Sequence, residues 1–267
     1  TTSNWGIWHH EIHLEDELMQ LPICFPKSVS LKKRIINIVN ELRDYDPPAE
    51  SLHEPEGVSE DKIQEKRRFL QYELDQAIFE LYELNDAEID LVQDMCEITL
   101  PYYYLPDKSI AGKPVLTKCL SEPYGTIKSL PKNTDFSGYL KVFMQCWEAY
   151  LDKGTEFVWQ VYQPEQMDSM IAAVFSVQKK GKKVNEHYTG DIKCWNDVLT
   201  QLENNLTQSF HSSHIYLEGM ERAVTDDFVM IIKRNEGRLW TRSMAREDAE
   251  ATVVQAMNKK NKRERNK

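Results

Sequence analysis

The sequence lacks the marks that most often betray an enzyme. It has no G-x-G-x-x-G, no P-loop and no nucleophile elbow, so no phosphate cradle at a helix start and no serine on a strained strand-to-helix turn can be read from it. Its five cysteines, Cys24, Cys96, Cys119, Cys146 and Cys194, never form a C-x-x-C pair. Their odd number and wide scatter speak for a reduced, cytoplasmic protein with buried thiols rather than a disulfide framework. No apolar run approaches the roughly 20 residues needed to cross a bilayer, and nothing resembles a signal peptide, so no membrane partner is expected. Internal repeats and low-complexity stretches are missing too. The chain starts at Thr1 and enters directly a Trp-rich apolar segment, as expected of a piece cut from a longer protein.

A positive balance is also missing. The net charge is −10, and the last nine residues, "KKNKRERNK", hold six bases and one acid, which leaves the body of the chain near −15. Nonspecific wrapping of nucleic acid is therefore not expected, because that affinity is dominated by phosphate neutralisation. One local basic face remains compatible with the composition. The basic tail itself reads as a disordered, solvated end.

What is present divides into five sections. Trp8–Glu17 reads "WHHEIHLEDE", which suggests a metal site, but His10 and His13 are three apart where a zinc helix needs H-E-x-x-H. Read with a period of two, His10, Ile12 and Leu14 share one side, and the segment is a half-buried strand, Trp5–Leu14, with a wet face. "LPICFP" then stays extended, and Ser28 or Ser30 caps a helix with the apolar stripe Leu31, Ile35, Ile38, Val39 and Leu42. Lys27, Lys32, Lys33 and Arg34 crowd the start of that helix, where cations oppose the macrodipole and a phosphate would relieve the conflict. A Pro-rich acidic loop follows. A long helix from about Glu60 to Leu84 and a second one opened by Asn85 and Glu88 read as an antiparallel hairpin.

Residues 101–135, with five prolines and no sustained period, read as an irregular linker and the best domain boundary. Tyr102–Tyr104 inside it fit packing at a junction better than base stacking. From Phe136 to Met257 the pattern is a small α+β unit. It has a helix over Gly138–Leu151, strands "TEFVWQVYQ" and "SMIAAVFSVQ", and a turn "KKGKK". A helix near Trp195–Gln208 comes next, then strands "FVMIIKR" and "GRLWT" and a final helix from Ser243 to Met257. The expected fold is thus α+β: a mostly helical N-terminal half behind a leading strand, then a small domain with antiparallel strands. The expected divisions are 1–100, the linker 101–135, the accessory domain 136–257 and the tail 258–267.

No chemical constellation survives scrutiny. "YDPPA" lacks the aromatic of the amino-methyltransferase motif, since Ala49 stands in its place. Glu156 is not followed by the acid-x-Lys strand of a metal-dependent nuclease, and His211 with His214 has no third ligand in view. No catalytic and no metal residue is assigned.

One stretch is more specific. "LQYELDQAIFELYELNDAEIDLVQDM", Leu70–Met95, resembles the helical segment that closes the target-recognition region of many N6-adenine DNA methyltransferases of type IIG and related restriction–modification families. Leu74, Asp75, Phe79, Leu81, Tyr82, Leu84, Glu88, Ile89 and Val92 carry the match. "WGIWHHEIHLEDELMQLPICFP", Trp5–Pro26, is similar to the family's last recognition-domain strand and the element after it, so the resemblance spans about residues 5–98. "GRLWTRSMAREDAEA" resembles C-terminal segments of some restriction–defence proteins.

The resemblance implies a C-terminal recognition and accessory region, with double-stranded DNA and an upstream methyltransferase domain or subunit as partners. S-adenosylmethionine would be the cofactor of that upstream Rossmann-like domain, and no catalytic residue transfers to this chain. Lys27, Lys32, Lys33 and Arg34 are the expected DNA contacts, followed by Lys179, Lys180, Lys182, Lys183, Arg238 and Arg242. The rival expectations are a protein-interaction module in a defence complex and a metal-dependent nuclease in 136–257 centred on Glu156.

Overall fold

The computed structural model describes residues 22–44, 60–107, 109–115, 124–130, 135–164, 169–184, 194–206, 220–225 and 227–265. The leading strand, the Pro-rich acidic loop, "YDPPA", His211 and His214 lie outside these residues. The chain divides into two compact units, Thr1–Asp86 and Ala87–Lys267.

The described part of the first unit is a pair of helices, α1 (Val29–Asp44) and α2 (Glu60–Leu81). Ser28 opens α1, its Oγ accepting the Leu31 N–H at 3.4 Å, which satisfies a donor the helix start leaves without an intrahelical partner. Leu31 and Ile38 on α1 and Leu70 and Ala77 on α2 are buried. Arg34 bridges the pair, reaching Glu73 at 2.9 Å and Glu80 at 3.4 Å. The boundary between the units falls after Asp86, the first residue of the helix expected to pair with α2.

The second unit is α+β. A helical run leads it: α3 (Asp86–Asp94), a π turn (Met95–Thr99) and α4 (Leu100–Tyr104). Then come β1 (Tyr124–Thr126), α5 (Asp135–Glu148), β2 (Thr155–Tyr162), β3 (Met170–Lys179), α6 (Trp195–Leu206), β4 (Met220–Val224), β5 (Phe228–Arg234) and α7 (Arg242–Arg265). The strands form one antiparallel sheet in the order β1-β2-β3-β5-β4.

Central β3 is buried without a break from Ile171 to Ser176, as a strand covered on both faces must be. Ile171, Ala173 and Phe175 face α5 and α7 in the larger core, with Phe143, Trp159 and Trp240. Ala172 and Val174 face Val198 and Leu202 of α6 in the smaller one. The Phe143 and Phe175 rings stack with centroids 4.0 Å apart.

Three elements differ from the sequence reading. "GRLWT" is a 3-10 turn at Gly237–Leu239 and not a strand; the hairpin partner of β5 is β4, "MERAV", whose charged residues hide its pattern. The final helix runs on to Arg265, where lysines and arginines are good helix formers and suit the negative C-terminal end of the dipole. The described parts of 101–135 are not a free connection either. Gly237 N–H donates to Lys113 O (2.9 Å), Arg238 N–H to Ala111 O (3.0 Å) and Val115 N–H to Asn235 Oδ1 (2.7 Å), while β1 extends the sheet. Backbone pairing of this kind needs no hydrophobic period, so the sequence pattern passes over it.

At Gly237 a Cβ would stand 2.6 Å from Ile110 O, a backbone atom that cannot swing away, whereas at Gly112 a Cβ meets nothing within 4 Å. Gly237→Ala is therefore expected to destabilise the second unit by about 1–3 kcal/mol, and Gly112→Ala to leave its urea midpoint within error. Equal midpoints for the two variants would show that the 109–115 segment is not packed in this way.

Candidate functional site

Three groups of residues carry the chemistry of the described chain. The first is the basic start of α1. Lys27, Lys32 and Lys33 are exposed, and among the described residues no acid pairs with their side chains. Arg34, the fourth expected DNA contact, is instead held between Glu73 and Glu80. Its guanidinium ties α1 to α2 before it can serve a ligand.

The second group lies where β2 begins and β3 ends. Glu156 Oε1 accepts from Gln178 Nε2 at 3.2 Å and from the Gly181 N–H at 3.3 Å, which folds "KKGKK" against the sheet end. Gly181 takes φ +83°, the left-handed conformation that glycine adopts without a Cβ penalty. Beside this turn opens a cleft of about 360 Å³ with Met144, Leu151 and Phe157 as its apolar floor and Lys128, Lys182 and Glu148 at its rim. Lys180 approaches Glu148 at 3.7 Å. Lys179 and Lys183 are exposed beside it.

Arg238 and Arg242 belong to the opposite end of the sheet, because β3 and β5 run antiparallel and Met170 pairs with Arg234 there. Arg238 bonds Glu236 at 2.8 Å, and Arg242 lies 3.7 Å from Asp90. Those of the singled-out residues that belong to the second unit thus form two clusters at opposite ends of its sheet. The same geometry accounts for Glu156: its carboxylate is a clamp on a turn, and among the described residues no three His, Cys, Asp or Glu side chains converge. Deeper in the sheet, Ser176 Oγ and Gln178 Oε1 are buried and find no hydrogen-bond partner among the described residues.

The third group escaped the sequence reading. Asp248 of α7 and Lys233 of β5 are both fully buried and in direct contact. Asp248 Oδ2 also accepts the Tyr139 hydroxyl at 2.5 Å, and its Oδ1 accepts Arg222 Nε at 2.9 Å. Lys233 Nζ donates further to Leu239 O at 2.9 Å and lies 5.1 Å and 5.5 Å from the ring centres of Tyr139 and Trp240. Burial pushes the Lys233 ammonium below its usual pKa, and Asp248 draws it part of the way back. Burial first, and then the Asp248 charge, raise the Tyr139 phenol well above its usual value.

The Lys233–Asp248 pair is buried, and with Tyr139 and Arg222 it holds β5, β4, α5 and α7 together. A signal for it existed. In "FVMIIKR" Lys233 is in phase with Val229 and Ile231, and Asp248 shares the inward side of α7 with Ala245, Ala249 and Thr252. A charge of each sign at inward positions of two elements is the mark of a buried pair.

No family model matches the chain, and no curated protein or solved structure matches it either. The methyltransferase resemblance rests on the quoted residues alone.

The Tyr139 shift gives a spectroscopic prediction. A phenol whose folded pKa is raised contributes stability that is complete below about pH 10 and is lost as pH rises through the folded value. Lys233 contributes with the opposite sign, so the phenol itself is the observable to follow. Ultraviolet titration of the folded chain should show a tyrosine that ionises only with unfolding, and Tyr139→Phe should remove that late step. A Tyr139→Phe curve identical to that of the parent would contradict the buried Tyr139–Asp248 bond.

Proposed function

We propose that this chain is the C-terminal DNA-recognition and accessory region of an adenine-specific DNA methyltransferase of a restriction–modification or phage-defence system. It contacts double-stranded DNA through the start of α1 and lacks a catalytic centre of its own. The observation that carries the reading is the basic trio Lys27, Lys32 and Lys33, exposed and without an acidic partner among the described residues, in a chain whose net charge is −10. Such a trio at a helix N-terminus is out of balance with the dipole until an anion joins it, and phosphate oxygens also accept from the free N–H groups there. The resemblance over residues 5–98 supports the same assignment, since that family reads duplex DNA with the region this segment closes.

In this role the region positions and does not react. Phosphate contacts fix register on the duplex, and the chemistry on a flipped adenine belongs to an upstream domain that binds S-adenosylmethionine. Lys179 and Lys183 at the sheet end are the second set of contacts. Arg34, Lys180, Arg238 and Arg242 contribute less, because each is engaged with an acid of this chain.

A salt series tests this. Duplex binding by the chain should fall steeply as salt rises, and changing Lys27, Lys32 and Lys33 to Ala should flatten the log–log slope by about 0.9 for each phosphate no longer neutralised. Arg34→Ala should leave the slope nearly unchanged and lower the stability of the helix pair. No binding at low salt, or a slope unaffected by the triple change, would remove the basis of the proposal.

A further inference from the structure

The helical run from Asp86 to Tyr104 has two unlike sides. On the inner side, Arg246 donates to Asp90 Oδ2 through Nη2 at 2.7 Å and through Nε at 3.0 Å. Asp94 Oδ2 accepts the Ser243 N–H at 2.9 Å and also its hydroxyl, while Thr241 Oγ1 accepts the Met244 N–H at 3.3 Å. The first turn of α7 is therefore capped twice, once by its own Thr241 and once by a carboxylate from α3.

The other side is apolar and open. Leu91, Met95 and Tyr103 succeed one another at helical spacing and are 60%, 47% and 79% exposed, and Leu100, Tyr102, Tyr104 and Leu105 widen the strip. A surface of this kind is uncommon on a monomer and marks an interaction site. It is acidic as well: besides the inward Asp90 and Asp94, the segment from Asp86 to Leu105 has the exposed acids Asp86, Glu88 and Glu97 and not one Lys or Arg.

The far end of α7 is its complement. Beyond Val253 the outer side of the helix is open, with Val254 and Met257 57% and 48% exposed, while Ala256 still packs on the core and Lys259 Nζ donates to Val224 O. From there to Arg265 the sequence carries five bases and one acid. Met257 and the basic residues after it lie beyond the point where α7 is tied to α3. The near end of α7 is fixed to α3, and a helix of 24 residues is about 36 Å long.

We propose that the chain self-associates. The basic, apolar end of α7 from one copy lies along the acidic, tyrosine-rich strip of α3 and α4 of a second copy, and a two-fold axis repeats the arrangement in reverse. Exposed apolar residues on both sides supply burial, and the opposite charges set the register and reject the parallel alternatives. This pairing stands independently of the DNA reading, because neither surface includes Lys27, Lys32 or Lys33.

The test is sedimentation of the full chain across a concentration series at low and high salt. A dimer that loosens with salt is expected. Lys260→Glu with Arg265→Glu should weaken it by roughly tenfold or more in Kd, and Leu91→Lys with Tyr103→Lys should do the same. The decisive arm mixes the two double variants. Each retains the surface that is altered in the other, so the mixture should form a heterodimer through one intact pairing. All four positions are exposed, and the mixing arm itself shows that both variants fold. A monomer at every concentration would overturn the proposal, as would a dimer indifferent to both variants or a mixture that stays monomeric. So would an unchanged oligomeric state with weakened DNA binding in the α7 variant, which would assign that basic end to phosphate.

Discussion

A single carboxylate, Asp248, has no access to solvent and must find all of its partners inside the protein. It finds them on three elements: Lys233 on β5, Arg222 on β4 and Tyr139 on α5. Removing a charge from water costs several kcal/mol, and attraction within the protein offsets that only when the geometry is saturated. Here it nearly is. Both carboxylate oxygens are occupied, and Lys233 has a carbonyl and two aromatic faces besides its counter-ion. The arrangement accordingly admits few alternatives, and it determines how α7 lies on the sheet.

The rest of the second unit follows from that constraint. With α7 oriented, Trp147 can donate to Thr252 at 3.0 Å, which fixes α5, and Trp240 can donate to Arg234 O at 3.0 Å, which fixes the turn between β5 and α7. Arg246 and Ser243 then stand ready for Asp90 and Asp94, so the helical run of α3 and α4 docks by charge. Asp90 and Asp94 of that run face inward, and its tyrosines are left outside. The far end of α7 is basic. Structure and surface chemistry are thus two consequences of one buried pair.

Much of the plan was legible in the letters. α1, α2, α5, α6, β2, β3 and β5 announce themselves by period, and the α+β class with an antiparallel sheet follows from their order. The failures have physical causes. β4 carries Glu221 and Arg222 and was hidden because Arg222 points inward to Asp248, a charge where a strand pattern expects an apolar residue. Residues 109–115 and β1 pair through backbone groups, which leave no trace in side-chain periodicity. Tyr102–Tyr104 read as junction packing and are exposed instead, because whether an aromatic run is covered depends on the fold around it and not on its neighbours in sequence. Of the candidate contacts, the exposed lysines of α1 could be read directly. That Arg34 was already committed could not, since its partner Glu73 lies 39 positions away.

The Lys233–Asp248 pair is what makes this unit one specific structure. A double-mutant cycle with Lys233→Met and Asp248→Leu measures this most directly. Asp248→Leu strands the buried Lys233 ammonium and should cost about 3–5 kcal/mol, Lys233→Met leaves Asp248 its Arg222 partner and should cost less, and the double change should recover much of the Asp248→Leu loss, giving a large coupling energy. Additive losses, or single changes that leave the unfolding midpoint where it was, would contradict that role.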